Sequence, residues 1–190
     1  MAEELRFGLL GGIHIARNRE PVAGFISNKA LALLCYLAVT GRPHQRDFLA
    51  GLFWGELPEA DARNNLRQVL ANLRKLVGDH LEVDRQAVAF NRALSHWIDA
   101  VEFERLTAES MGQEAGGNPQ SAICNLQSAI CLYRGDFLAG LNLREASAFD
   151  EWLTVERERL RALAVSALAA LIDHHTRRGD YPTAIPFARR

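Results

Sequence analysis

Apolar and polar positions change their period along this chain, and the changes mark its elements. Leu5, Phe7 and Leu9 alternate, and Ile13 and Ile15 resume the pattern after Gly11-Gly12, which is the period of extended strand. Arg17-Asn18-Arg19-Glu20-Pro21 reads as a turn and Val22 to Phe25 as a short returning strand. Gly8, Gly11 and Gly12 lack the spacing of a phosphate loop, and no helix follows them at once. The period then lengthens. Ser27 is placed to N-cap a helix through about Val39, with Leu31, Leu34, Leu37 and Ala38 on one face and Gly41 as its stop. A second helix is expected near Gln45 to Trp54, carrying Phe48, Leu49, Leu52 and Phe53, before a turn that contains Pro58.

The third helix, Ala60 to Val77, is the most informative. Leu66, Val69, Leu70, Leu73, Leu76 and Val77 fill one arc of roughly 120° at about 100° per residue. Arg63, Arg67 and Arg74 project within about 40° of one another on a different face, flanked by Asn64, Gln68 and Lys75, and no acid occurs between Ala62 and Val77. Solvated helices usually mix both signs, because i,i+4 pairs support them. This face offers only donors for phosphates, with amides and guanidiniums suited to base edges. Leu81 to Phe90 then alternates on both sides of a polar turn, a hairpin with Arg85 near its tip.

Beyond residue 97 the pattern is helical. Asp99 to about Met111 forms one helix, and Gly112 to Asn118 reads as a loop with Gly116-Gly117 at its tip. Asn118-Pro119 supplies the cap and first turn of a helix to Tyr133. Ala148 to Arg177 is a long helix of roughly 45 Å, and Gly179-Asp180 leads into a last helix, Tyr181 to Arg190, in which Pro186 should produce a kink. Helix pairs joined by Gly-Asp turns, with Ala at close contacts, have the character of tetratricopeptide-type repeats, which bind protein segments on a concave face.

Composition narrows the function. The 190 residues are 48% hydrophobic and 24% charged with a net charge of −1, which excludes disorder as the main state. The longest apolar run, Ala162 to Ile172, is too short to span a membrane and includes Ser166. Cys35, Cys124 and Cys131 form no C-x-x-C pair, and the acidic start Met1-Ala2-Glu3-Glu4 is unlike a secretory signal, so a cytoplasmic setting is expected. Residues 1–98 carry 12 Lys/Arg against 10 Asp/Glu, and of the chain's 22 Lys/Arg only Lys29 and Lys75 are lysine. A charge of +2 predicts few phosphate contacts per subunit and a need for dimerisation or a partner. Catalytic motifs are poor. Asp173-His174-His175 could be a metal-hydrolase fragment, but adjacent histidines on a helix point about 100° apart. No G-x-S-x-G, H-E-x-x-H or paired-carboxylate spacing appears. No enzyme activity, metal or cofactor is expected.

Taken in order, these elements resemble a known family. Leu49-x-x-Leu52-Phe53-Trp54, the Ala62-Arg63-x-x-Leu66-Arg67-x-x-Leu70-x-x-Leu73-Arg74-x-Leu76 helix and a hairpin with Asp84-Arg85-Gln86 resemble the N-terminal half of bacterial antibiotic-regulatory-type transcriptional activators. Trp97-x-Asp99-x-x-x-Phe103-Glu104, Leu132-Tyr133-Arg134-Gly135-Asp136-Phe137-Leu138-x-Gly140-Leu141, Glu151-Trp152-Leu153 and Glu156-Arg157-Glu158-Arg159-Leu160 resemble the bacterial transcriptional activator domain that follows it.

The resemblance implies a mainly α fold with small β-sheets: an OmpR-type winged helix-turn-helix over residues 1–96, then a tetratricopeptide-like, all-α helical domain over 97–190. It implies a sequence-specific transcriptional regulator, an activator by type, that binds double-stranded promoter DNA and acts in the cytoplasm at the nucleoid. The Ala60–Val77 helix would be the recognition helix. Arg63, Asn64, Arg67, Gln68, Arg74 and Lys75 would face the DNA, Arg85 would sit on the wing, and Lys29 and Arg46 would touch the backbone from the starts of the first two helices. The helical domain would mediate homodimerisation or contact RNA polymerase or another regulator. The chain is expected to be the N-terminal part of a larger regulator, with no nucleotide site of its own. The competing reading is a protein-interaction scaffold whose winged helix does not bind DNA. That reading places the Arg63/Arg67/Arg74 face against the second half.

Overall fold

The computed structural model describes residues 4–116 and 119–190. Its order is β1 (Leu5–Gly8), β2 (His14–Arg17), β3 (Glu20–Pro21), α1 (Asn28–Thr40), β4 (His44–Gln45), α2 (Arg46–Trp54), α3 (Glu59–Val77), β5 (Leu81–Val83), β6 (Ala87–Phe90), β7 (His96–Ile98), α4 (Asp99–Gly116), α5 (Pro119–Leu132), α6 (Ser147–Arg177) and α7 (Tyr181–Ala188). The fold is therefore mainly α with two small sheets. A sheet ordered β3-β2-β1-β7 precedes and closes the three-helix unit. The second sheet, β4-β6-β5, is the wing. The helical half is built from the pairs α4/α5 and α6/α7.

Local chemistry explains the boundaries. The Ser27 hydroxyl accepts from the Ala30 N–H at 3.2 Å, capping α1. Gly41 ends that helix at φ +61°, a left-handed conformation that side chains resist. The apolar arc of α3 is buried from Ala62 to Val77, against α1 and α2. Core packing runs without a break through both halves.

The segment Val22 to Phe25 is not a strand. The pairing partner of β2 is Glu20–Pro21, and the chain beyond it bonds to a side chain: Asn72 Nδ2 donates to Gly24 O at 3.0 Å, and Ile26 N donates to Asn72 Oδ1 at 3.2 Å. Helix α4 also runs on to Gly116, beyond the expected end at Met111, since a glycine in a helix costs only about 1 kcal/mol against alanine. Gly117 and Asn118, the rest of the expected loop and cap, lie outside the described residues. α7 retains helical form across Pro186 and stops at Ala188.

The helical half is joined to the first sheet through β7. β7 pairs in parallel with β1, Phe7 opposite Ile98. One residue on, α4 begins and the strand ladder has no further backbone partner to offer. The Asp99 side chain takes over. Fully buried, its carboxylate accepts from Leu9 N at 2.8 and 2.9 Å and from Leu10 N at 3.1 Å. Arg134 Nη2 stands 3.5 Å away. The chain after α5 completes the joint: Gly11 N donates to Asp136 O at 3.1 Å and Leu138 N to Leu9 O at 2.8 Å. Gly11 has φ +89°, and a Cβ there would lie 2.8 Å from the Arg134 carbonyl carbon, so the approach requires glycine. Arg157 then donates to the Phe137 and Leu138 carbonyls, both at 2.8 Å.

An aromatic cluster seals the other side. Trp152 of α6 meets Tyr36 of α1 edge to face at 4.7 Å, and Phe149 lies 4.9 Å from Phe53 of α2.

Asp99→Ala is expected to destabilise the chain by about 2–5 kcal/mol in chemical denaturation, from two buried N–H donors left unpaired at roughly 1–3 kcal/mol each. An unchanged midpoint would refute the role given to Asp99. Burial raises the Asp99 carboxyl above its ordinary value, against the opposing pull of the Leu9 and Leu10 amides and Arg134. The protonated form is therefore favoured by folding, an effect complete below the ordinary aspartate range and lost as pH rises through the raised value. Asp99→Asn has no such slope, so wild-type stability relative to that variant should fall with rising pH.

Candidate nucleic-acid interface

The outward face of α3 meets the start of α2 and the wing turn in a groove of about 620 Å³. Arg46, Arg63, Arg67 and Arg85 all line it, with Gln45, Asp47, Leu66 and Gln86. Leu66 is buried in the core, whereas Arg63 and Arg67 stand exposed on the same helix, so the amphipathic pattern itself aims the arginines outward. The scaffold reading required this face to be covered by the second half; it is open to solvent.

Two ties fix the wing against α2. Arg46 N donates to Gln86 O at 2.8 Å, and Arg46 Nη1 donates to Asp84 O at 3.1 Å. Asp84 builds the turn. Its Oδ1 accepts from Gln86 N at 2.7 Å and Ala87 N at 2.6 Å, and these bonds hold its carboxyl below the usual range. Arg85 is thereby presented at the tip.

The remaining expected residues are distributed unevenly. Asn64 accepts from Arg67 Nη1 at 3.5 Å, a long contact that leaves the guanidinium available. Lys75 is exposed, while Arg74 borders a separate groove along β5 with Asp79, Glu82 and Asp84. Gln68 and Lys29 line a third groove, between α1, α3 and Arg144-Glu145. Lys29 is thus not brought to the arginine groove. It donates to Glu145 O at 2.9 Å and lies 5.6 Å from the Trp54 ring centre, and partial burial lowers its pKa.

The sequence did not single out Asp47, Gln45 or Gln86. Asp47 accepts from Arg63 Nε at 2.9 Å, and Arg63 Nη2 is 2.6 Å from Glu59 Oε1. Those carboxylates raise the Arg63 pKa further, the Asp47 hydrogen bond foremost. An acid in the first turn of α2 was the only available signal for Asp47.

The histidine motif lies at the α6–α7 junction. His175 Nδ1 lies 3.1 Å from Asp180 Oδ2, joining α6 to the start of α7, and the His174 ring is set at 87° to that of His175. Among the described residues no group of three or more His, Cys, Asp or Glu is arranged to hold a metal ion, and no helix is long and apolar enough to cross a membrane.

A sheet, three helices and a wing, followed by paired helices, define a winged-helix protein with an appended helical domain. The computed structure superposes on Mycobacterium tuberculosis EmbR in complex with a low affinity phosphopeptide with a TM-score of 0.76, at 24% identity over 97% of this chain and 48% of that one. Residues 98–190 match the bacterial transcriptional activator domain family. Over the longer span the chain is similar to regulatory protein AfsR of Streptomyces griseus, 27% identical across 187 residues, and to that of Streptomyces coelicolor, 28% identical across 138 residues. It covers 92% and 72% of itself in these matches but only 19% and 14% of the relatives, so it spans less than a fifth of their length. The relatives it matches are regulatory proteins.

Asp84→Ala is expected to speed hydrogen exchange at the Gln86 and Ala87 amides while the core amides of α3 stay protected. The depressed carboxyl gives the same outcome by titration. Its contribution is present above the ordinary aspartate value and is lost as pH falls through the lower folded value. Unaltered exchange at both amides in the variant would show that Asp84 does not order the wing.

Proposed function

We propose that this chain is a sequence-specific DNA-binding unit of a cytoplasmic, nucleoid-associated transcriptional activator. The observation that carries the reading is the groove where Arg46, Arg63, Arg67 and Arg85 converge from α2, α3 and the wing. Helix α3 enters the major groove. Arg67, Asn64 and Arg63 face base edges, Gln68 lies at the margin of that face toward α1, and Arg74 and Lys75 neutralise phosphate near the end of the helix. Arg85 reaches the adjacent minor groove or its phosphates, and Arg46 holds the wing at the required angle. Lys29, turned toward the helical half, takes a phosphate only at the edge of the footprint.

Residues 1–96 form the DNA-binding unit in this reading and 97–190 the effector unit. The helical unit mediates self-association on paired half-sites, or contact with RNA polymerase or another regulator. No enzymatic step is assigned to it. The similarity to AfsR and the match to the activator domain support the regulatory class; the exposed basic face of α3 supports DNA as the partner.

Selection of bound duplexes from a random library, followed by titration at two salt concentrations, tests the reading. An enriched motif is expected. Arg67→Ala should weaken binding to it by about 1–3 kcal/mol and relax preference at one position. Wild-type affinity and specificity in that variant would remove Arg67 from the interface. Failure to enrich any motif would overturn the reading.

A further inference from the structure

The groove that carries the arginines also carries the acids that oppose them. From residue 44 to residue 92, the span that builds the groove and wing, seven Lys/Arg are matched by seven Asp/Glu. The distribution is uneven in effect. Arg67 and Arg85 have no carboxylate partner among the described ion pairs, whereas two carboxylates sit on the Arg63 guanidinium, Asp47 at Nε at 2.9 Å and Glu59 at Nη2 at 2.6 Å. These contacts lie in the open: the Arg63 side chain is 50% exposed, and those of Asp47 and Glu59 are 72% and 75% exposed. They add little to folding stability, as exposed ion pairs generally do. They cost little to keep or to break, and they stand beside the base-facing side of α3.

We propose that Asp47 and Glu59 are specificity-determining residues that restrain Arg63 and so suppress binding to noncognate DNA. The inference rests on the DNA-binding reading above. A phosphate on an arbitrary duplex meets Arg63 already paired with two tethered carboxylates, and the same carboxylates repel a backbone that arrives out of register. At a cognate site the contacts of Arg67 and Arg85 fix the duplex, and a base-edge acceptor is then held where Arg63 can exchange a carboxylate for it. The acids thus weaken all binding somewhat and noncognate binding more, which is specificity by a repulsive element.

The test uses the intact chain, the duplex selected above and a random-sequence duplex, at two salt concentrations. Asp47→Asn and Glu59→Gln should each tighten binding to the random duplex by roughly 3–10-fold and steepen its salt dependence by about one unit of log–log slope, the signature of one added phosphate contact. Affinity for the selected duplex should change less, so the specificity ratio falls. Asp61→Asn makes the same charge change in the first turn of α3 without touching Arg63, and should leave the ratio unchanged. In an Arg63→Ala background the effect of Asp47→Asn should vanish. Equal behaviour of Asp47→Asn and Asp61→Asn, or persistence of the effect without Arg63, would overturn the proposal while leaving DNA binding intact. A wild-type chain with no preference among duplexes would overturn both readings.

Discussion

One buried carboxylate holds the architecture together. Parallel strands β1 and β7 pair only as far as Phe7 and Ile98 before β7 turns into α4. The Leu9 and Leu10 amides are then left inside the protein, where an unpaired N–H is costly. Asp99 continues the ladder by side chain at the start of α4, where the Leu9 and Leu10 amides offset part of the cost of its burial. Its position makes the start of the helical half a structural part of the first sheet. Any rotation of one half against the other would have to break these bonds together with those from Gly11 to Asp136 and from Leu138 to Leu9.

That joint constrains how the groove can act. Tyr36 and Phe53, which pack on Trp152 and Phe149 of α6, belong to the helices that support α3. The basic face of α3 and the surfaces of α4–α7 are therefore presented at a fixed relative orientation. A contact made by the helical half is geometrically registered to whatever α3 binds. For a regulator this favours readout by spacing, since a rigid unit repeats its own geometry at each site it occupies.

Periodic segments were legible in the sequence because burial imposes period. The arc from Leu66 to Val77 fixed α3 and, by exclusion, the outward arginines, and Ser27 and Gly41 marked α1 through capping chemistry that is local in sequence. The missing pieces were long-range. Nothing near Val22 indicates that Asn72, on the side of α3 roughly opposite the arginines, would take the bonds of residues 24–26. Asp99 could be noted as part of a Trp97-x-Asp99 pattern, yet its partners lie 89 and 90 residues away. Lys29 read as a free cation at a helix start, and only the fold brings Glu145 and Trp54 to it. Polar side chains can pair with any part of the chain, so their roles depend on the tertiary arrangement that apolar periodicity creates.

The same distinction governs the electrostatics of α3. Counted along the helix, Ala62 to Val77 is purely basic; counted in space, Arg63 belongs equally to Asp47 of α2 and Glu59 of its own first turn. A face built only for affinity would leave all its arginines free, since each released counterion adds to binding of any duplex. Here Arg67 and Arg85 have no carboxylate partner among the described ion pairs, whereas Arg63 is held by two acids. The modest charge of the first half is then a property of its chemistry. It limits indiscriminate attraction and leaves geometry, set by the wing ties and the Asp99 joint, to decide which surface α3 can accept.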